Sequence, residues 1–208
     1  MLTILGRASS INVRKVLWTA TELGLAFENP QWGSGDLALN APDFLALNPN
    51  AMVPVLRDDG HVLWESNTIC RYLAARYGDG SLLPGDPADR AEVEKWMDWQ
   101  ATELNNSWRY AFMSLVRHSP EHNDPRQLAN GIRSWNRHMQ ILNLALSASG
   151  GPFILGAKFT LADVVLGLST QRWYATEIAK PEVPHVARYY EALSQRPAFM
   201  QWGRNGFP

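Results

Sequence analysis

The stretch NPNAMVPVLRDDGHVLWES, residues 48–66, decides the fold of the first half of the chain. Two short apolar runs, VPVL and HVLW, flank the polar tetrapeptide RDDG, in which Asp59 and Gly60 can supply the positive φ angles of a tight turn. The pattern therefore predicts two antiparallel strands. Directly after them, Ser66 is expected to cap a helix over residues 67–77.

The residues before this hairpin predict a strand, a helix and a second strand. Residues 2–5 read LTIL, residues 12–23 place apolar side chains on one face of a helix, and residues 25–28 form another apolar run. A helix between two short strands lets the strands lie parallel. A short helix is also expected at residues 43–47.

From residue 79 onward the pattern changes. Residues 79–88 are rich in glycine, proline and aspartate, which is typical of a linker. Beyond them, apolar residues recur at helical spacing, and Thr160 and Asp163 have the spacing of a capping box at a helix start. Further helices are expected over residues 88–117, 125–147 and 185–193.

The composition excludes several classes of function. With 19 basic and 20 acidic residues, the formal charge is -1, so there is no bulk attraction to nucleic acid or to anionic membranes. The single cysteine, Cys70, cannot form an internal disulfide and is expected to be a small buried side chain. The five histidines show no metal-ligand spacing, and no signal peptide or membrane helix is predicted. We therefore expect a cytoplasmic protein without a metal.

Four motifs, in their order along the chain, resemble the cytosolic glutathione S-transferases, and in particular the bacterial Nu-like and theta-like groups. They are SINVRKV, NPNAMVPVL, LWESNTICRYLA and FTLADV. The resemblance implies an α/β thioredoxin-like N-terminal domain followed by an all-α C-terminal domain. We assign these to residues 1–78 and 89–208, with residues 79–88 as the linker.

The resemblance implies that glutathione lies along the N-terminal domain. A proline inside VPVL cannot donate to a sheet ladder, so Pro54 is expected at an edge or a bend. The family has a cis bond here, which would expose the backbone N–H and C=O of Val53 to the extended tripeptide. Ser66 and the helix N-terminus would bind the α-carboxylate of the ligand, while Glu65 would pair with its ammonium. Taken alone, these residues are better explained as an edge proline, a plain cap and a solvated acid, and the other motifs of the family reverse that preference for Pro54.

The polar segment ASSIN, residues 8–12, follows the first strand. A thiol with a pKa of about 8.5 is mostly protonated at neutral pH, so hydrogen-bond donors at a helix N-terminus raise its reactive thiolate fraction. By similarity to the Nu-like group, Asn12 is the best candidate for the thiol contact, with Ser10 next and Ser9 third. Without the resemblance, these residues are as well explained as helix caps.

Other residues enter the site only through the resemblance. Gln100 and Arg133 match positions that help to hold glutathione in the Nu-like group, the glutamine from the neighbouring subunit, although both also fit ordinary helix-surface positions. The electrophile is expected between the first loop and the first long helix. Candidate walls, whose default role is core packing, are Trp32, Trp108, Phe112 and Leu115.

Two positions depart from the family pattern. Ala51 stands where relatives commonly have glycine, and Leu39 stands where a relative would present an amide or basic side chain to the glycyl carboxylate of glutathione. Asn40 or Arg133 would have to compensate for Leu39.

The leading hypothesis is a homodimeric, cytoplasmic transferase that binds glutathione, favours its thiolate and lets it attack a small electrophile. One alternative keeps the pocket but reduces disulfides or peroxides with glutathione. Since the first loop holds no cysteine, that reaction would not use a mixed disulfide with the enzyme there. A third hypothesis is a non-catalytic interaction protein built on the same fold.

Overall fold

A computed structural model describes residues 1–207, and a four-stranded mixed sheet forms its first half. The strands are β1 (Leu2–Leu5), β2 (Phe27–Glu28), β3 (Val55–Asp58) and β4 (His61–Trp64), in the spatial order β2-β1-β3-β4. β2 lies parallel to β1, while β3 is antiparallel to both β1 and β4. The predicted strand–helix–strand unit and the hairpin are confirmed, although β2 is shorter than expected.

Three helices belong to this half: α1 (Ile11–Glu22), α2 (Pro42–Leu45) and α3 (Ser66–Tyr77). In the hairpin turn, Asp59 and Gly60 have φ angles of 46° and 84°, as the sequence predicts. The prediction that Ser66 caps α3 is wrong, because α3 begins at Ser66 itself. The N-cap is Glu65, where the backbone turns into the helix with φ 73° and ψ 109°.

The second half is helical. Its helices are α4 (Pro87–Trp99), α5 (Asn105–Leu115), α6 (Pro125–Ala148), α7 (Leu161–Ala175), α8 (Pro184–Ser194) and α9 (Pro197–Trp202). A π-helical turn over Gln100–Leu104 joins α4 to α5, so the long helix predicted over residues 88–117 is interrupted there.

The capping arrangement predicted at Thr160 and Asp163 is present at the start of α7. The buried Asp163 carboxylate accepts hydrogen bonds from the backbone N–H of Thr160 at 2.9 Å and of Ile154 at 3.0 Å. Burial raises the pKa of Asp163 to about 6. These bonds fix the first turn of α7 to the loop that precedes it.

The two faces of the sheet pack against different hydrophobic clusters. Ile4 and Leu56 face a large apolar core that continues through α1, α3 and the C-terminal helices. Leu5 and Val55, which point the other way, pack with Phe44 of α2 in a small cluster. α1 comes close to α7 at Gly167, where a Cβ atom would lie 3.1 Å from the ring of Trp18. One continuous core therefore joins the sheet to the helical half.

Candidate active site

The register of the sheet brings three polar segments to one of its ends. Leu5, the last residue of β1, pairs with Val55, and Val55 pairs with Trp64, the last residue of β4. The loop after β1, the residues before Val55 and the turn after Trp64 therefore lie side by side. A Cβ atom on Gly6 would lie 2.8 Å from that of Val53, so the first loop touches the segment before β3.

Hydrogen bonds between the first loop and the segment that follows β2 hold the loop in place. Asn29 Nδ2 donates to the carbonyl of Gly6 at 2.9 Å, the backbone N–H of Ala8 donates to Gln31 Oε1 at 3.0 Å, and Arg7 Nη1 donates to the carbonyl of Gly33 at 3.0 Å. The conformation of the loop is thus fixed by the Arg7 side chain and by residues 29–33, without using the hydroxyls of Ser9 and Ser10.

The three predicted thiol contacts lie at the end of this loop. Ser10 is the N-cap of α1 by its backbone, but its hydroxyl does not cap the helix. Within residues 1–207, the side chains of Ser9, Ser10 and Asn12 make no hydrogen bond, and all three are partly exposed. Since the first backbone N–H groups of a helix also lack intrahelical partners, this end of α1 offers several free donors.

The segment before β3 presents its backbone. The Val53–Pro54 peptide bond is cis, as the family resemblance implies. The N–H and C=O of Val53 have no hydrogen-bond partner in the described part of the chain. The loop before Val53 is braced by Asn48, whose Nδ2 donates to the carbonyl of Met52 at 2.7 Å. Ala51 has a φ angle of 53°, a conformation that glycine adopts more readily and that accounts for the glycine expected there.

The turn into α3 exposes an acid beside a hydroxyl. Glu65 is exposed and Ser66 is buried, and neither side chain has a hydrogen-bond partner among residues 1–207. The φ angle of 73° at Glu65 is rare for a residue with a side chain and is maintained by the surrounding structure. The arrangement leaves the first N–H groups of α3 and the Ser66 hydroxyl open to an anion.

Gln100 and Arg133 do not join these groups. Gln100 is fully buried, accepts a hydrogen bond from Lys15 Nζ at 2.8 Å, and donates to Ser169 Oγ at 3.0 Å. Arg133 is exposed on α6 and donates to Asn130 on the same helix. Their predicted contact with glutathione, for Gln100 across a subunit interface, stays a prediction.

The four predicted walls separate into two places. Trp108 and Phe112 lie on α5, buried, with ring centroids 5.5 Å apart and planes at 74°. Leu115 ends the same helix and is partly buried. Trp32 packs instead on Phe44, at 5.0 Å between centroids, in the small cluster on the other face of the sheet. The structure thus groups the three α5 residues and separates Trp32 from them.

Two buried cations on α1 were not assigned a role from the sequence. Lys15 Nζ donates to Asn67 Oδ1 at 3.1 Å as well as to Gln100, and Asn67 Nδ2 donates to the carbonyl of Met97 at 2.9 Å. Arg14 Nη1 donates to the carbonyl of Phe207 at 3.3 Å. Burial lowers the pKa of Lys15 to about 8 and that of Arg14 to about 10. The signal that could have identified them is a pair of basic residues inside an apolar helix.

Cys70 is not suited to act as a nucleophile of the protein. It is fully buried, and burial raises its pKa to about 11, so the thiolate is suppressed at neutral pH. The prediction of a small buried side chain is confirmed.

Comparison with known proteins agrees with this geometry. Residues 9–76 match the family "Glutathione S-transferase, N-terminal domain" and residues 107–205 match "Glutathione S-transferase, C-terminal domain". Over 200 residues the chain is 38% identical to "Glutathione S-transferase GstB" of Escherichia coli strain K12, covering 95% of each chain. The chain belongs to the glutathione S-transferase family. Its thioredoxin-like sheet followed by a helical domain is the architecture of that family.

Two further relatives bear on what this transferase does. A theta class glutathione S-transferase of Xanthomonas axonopodis pv. citri, solved with glutathione bound, is 36% identical with a TM-score of 0.90, covering 100% of this chain and 99% of that one. "Probable elongation factor 1-gamma 2" of Arabidopsis thaliana is 29% identical over 188 residues, which are 89% of this chain and 45% of that protein.

Other features of the transferase lie outside the sheet end. A cavity of about 830 Å³ lies between the segment after α3 and the loop before α7, lined by residues that include Ser81, Val93 and Lys158. Among residues 1–207, no helix has the length and apolar character needed to cross a membrane. Nor do three acidic, histidine or cysteine side chains in the described chain come together as a group suited to a metal ion.

Proposed function

We propose that this transferase conjugates the thiol of glutathione to small electrophilic molecules. The observation that carries the proposal is the meeting, at one end of the sheet, of three segments whose polar groups have no partner within residues 1–207. Buried or half-buried polar groups are normally satisfied, so a cluster that the fold leaves open indicates a polar ligand.

The peptide backbone of glutathione is expected to run along Val53. An extended peptide can pair with the exposed N–H and C=O of one residue at a sheet edge, as in other strand-addition complexes. The α-carboxylate would then accept hydrogen bonds from Ser66 and from the N–H groups that begin α3. The Glu65 carboxylate would bind the ammonium. Glutathione is therefore the proposed co-substrate, and no metal enters the reaction.

The sulfur is expected to lie at the start of α1. There, donors from Asn12, Ser10 and the first backbone N–H groups stabilise the thiolate over the thiol, with Asn12 ranked first, Ser10 second and Ser9 third. The thiolate attacks the electrophilic carbon, a carbon–sulfur bond forms, and the leaving group departs with its electron pair. Trp108, Phe112 and Leu115 on α5 are the proposed walls for the electrophile.

We further propose a homodimer, from the resemblance alone, and a cytoplasmic location. The proposed domains are residues 1–78 and 89–208, joined by residues 79–88. Sedimentation velocity of the purified protein should give the mass of two chains. A single species with the mass of one chain would contradict the dimer without affecting the glutathione site.

Calorimetric titration of glutathione tests the proposed function. We expect wild type to bind, and Ser66→Ala to bind about 10- to 100-fold more weakly, because a hydrogen bond to a charged group is worth about 1.5–3 kcal/mol. Ser147→Ala, an exposed serine on α6, is the matched control and should bind like wild type. Equal affinity of all three proteins would remove the proposed site.

Measuring turnover with different substrates distinguishes conjugation from glutathione-dependent reduction. Conjugation predicts that glutathione is consumed by activated halides and that a thioether is recovered, whereas reduction predicts oxidised glutathione from small disulfides or hydroperoxides. Part of an elongation factor is similar to this chain, so a role as a non-catalytic interaction protein is kept as an alternative. Failure of the protein to bind immobilised glutathione, together with no turnover, would favour that role.

A further inference from the structure

A buried lysine joins the two helices between whose starts glutathione is proposed to lie. Lys15 follows Asn12 by less than one turn of α1 and is 1% exposed. Its Nζ atom donates to Asn67 Oδ1 at 3.1 Å, and Asn67 is the second residue of α3. The Lys15 ammonium is therefore attached to the first turn of the helix that is expected to bind the α-carboxylate of glutathione.

No carboxylate of the described chain forms an ion pair with this ammonium. Its two acceptors are neutral amide oxygens, that of Asn67 and, at 2.8 Å, that of Gln100. A buried charge without a counter-ion costs free energy, and an anion bound nearby would recover part of that cost. The start of α3 should thus attract an anionic group more strongly than its free N–H groups alone would.

The charge of Lys15 also acts at the turn into α3. Burial lowers the pKa of Lys15 to about 8, and the charge of the Glu65 carboxylate acts in the opposite direction. At pH 7 most Lys15 side chains therefore carry their charge, and Glu65, the N-cap of α3, lies within its range. A ligand carboxylate that accepts hydrogen bonds from Ser66 and the first N–H groups of α3 would lie at the same turn and would interact with the same ammonium.

Asn67 restrains the orientation of this turn. Its Nδ2 donates to the carbonyl of Met97 on α4 at 2.9 Å, while its Oδ1 accepts from Lys15 on α1. Both ends of the amide are engaged, so the first turn of α3 is fixed relative to the two neighbouring helices. The same bonds fix the position of Ser66, the residue before Asn67. Groups that bind a ligand need such supporting bonds behind them to keep their geometry.

We propose that Lys15 is a positioning residue for glutathione. It holds the first turn of α3 through Asn67, and its charge attracts the α-carboxylate of the ligand without touching it. The inference rests on the proposed glutathione site and adds a residue that lies beneath that site. Its specific consequence is that Lys15 contributes to the binding of the α-carboxylate and not to the binding of the rest of the tripeptide.

A glutathione analogue without the α-carboxylate tests this consequence. 4-Aminobutanoyl-cysteinylglycine keeps the ammonium, the thiol and the glycyl end of glutathione. Calorimetry at pH 7 gives the affinity for glutathione, and titration of glutathione into protein equilibrated with the analogue gives the affinity for the analogue. Lys15→Met should weaken the binding of glutathione about 10-fold and that of the analogue less than about twofold.

Two further variants complete the test. Lys95→Met removes an exposed ammonium on α4 and controls for the change in net charge, so it should bind both ligands like wild type. Because Lys15 is buried and Lys15→Met can fail to fold, Asn67→Ala gives a second measurement. It detaches Lys15 from α3 and leaves the charge in place, so we expect about a three- to fivefold loss of affinity for glutathione and a smaller loss for the analogue.

The failure of this inference can be distinguished from the failure of the proposed function. If wild type does not bind glutathione, the proposed site and the role of Lys15 are both wrong. If wild type binds glutathione and Lys15→Met weakens both ligands equally, Lys15 has only a structural role and the inference alone is overturned. Unchanged affinity for glutathione in every folded variant would also contradict it.

Discussion

Ser66 and Asn67 are consecutive residues with almost the same burial, 6% and 9% exposed, yet the fold treats them differently. Asn67 bonds to Lys15 on α1 and to the backbone of Met97 on α4. The Ser66 hydroxyl bonds to no side chain or backbone group within residues 1–207. The first residue faces the end of the sheet and the second faces the junction between the two halves of the chain.

The same contrast recurs on α1. Asn12 and Lys15 lie less than one turn apart. The Lys15 ammonium donates to both Asn67 and Gln100, whereas the Asn12 side-chain amide has no partner in the described chain. Lys15, Asn67, Gln100 and Ser169 form what we call the buried junction. Polar groups that the fold satisfies hold the two halves together, and polar groups that it leaves open are those that can bind a ligand.

The largest expected effect is at the buried junction. Gln100→Met keeps the side-chain volume but removes the acceptor of the Lys15 ammonium and the donor to Ser169, so we expect the free energy of unfolding to fall by about 4 kcal/mol. Urea denaturation measures this, with the exposed Gln140→Met as control. A variant as stable as wild type that binds glutathione more weakly would instead support the predicted ligand role of Gln100.

The pH dependence of stability gives the next effect. Burial lowers the pKa of Lys15 from 10.5 to about 8, so between these values the unfolded chain binds more protons than the folded one. The free energy of unfolding therefore rises with pH across this window, by about 3 kcal/mol relative to a variant without the amine. Denaturation of wild type and Lys15→Met from pH 7 to 10.5 should show the difference, and parallel curves would contradict it.

Asn12→Ala tests the open group on α1. Because the amide is the first-ranked donor to the thiolate, we expect kcat to fall about 10-fold and the pKa of bound glutathione to rise by about one unit, while stability changes little. The pH profile of kcat measures the pKa. Asn106→Ala, an exposed asparagine on α5, should match wild type. If Asn12→Ala instead lost stability and left the pKa of bound glutathione unchanged, Asn12 would have a structural role like that of the buried junction.

The smallest effect concerns the backbone of Glu65. At a φ of 73°, Glu65→Gly should raise the free energy of unfolding by less than about 1 kcal/mol, whereas Glu65→Gln should leave it unchanged. Both variants should bind glutathione more weakly, since both lose the partner of its ammonium. Thermal unfolding and calorimetry separate the two contributions. Destabilisation of the glycine variant would show that the turn is not strained.

The elements that were predictable from sequence depend on short-range patterns. The hairpin follows from Asp59 and Gly60 between two apolar runs, and α1 follows from the helical spacing of its apolar face. The capping box at Thr160 is also local, since its partners lie three residues apart. Each of these signals lies within a few residues of its element, so no tertiary information is needed.

The buried junction could not be predicted, because its bonds join positions 52 and 85 residues apart. The cap assigned to Ser66 was wrong for a related reason: propensity rules assume an extended N-cap, and Glu65 has a positive φ. Trp32 illustrates a third limit, since the sequence shows an aromatic residue but not the face of the sheet on which it packs. The Ser9–Asn12, Val53–Pro54 and Glu65–Ser66 segments were found through motif order, and the register of the sheet explains why they meet.

A crystal structure of the protein with glutathione is the most direct measurement of whether the open polar groups at the sheet end form the ligand site. The expected result is a tripeptide paired with the N–H and C=O of Val53, its α-carboxylate at Ser66, and its sulfur within hydrogen-bond distance of Asn12, Ser10 or the first N–H groups of α1. Glutathione bound elsewhere, for example in the cavity beside Val93 and Lys158, with the sheet end empty, would contradict it.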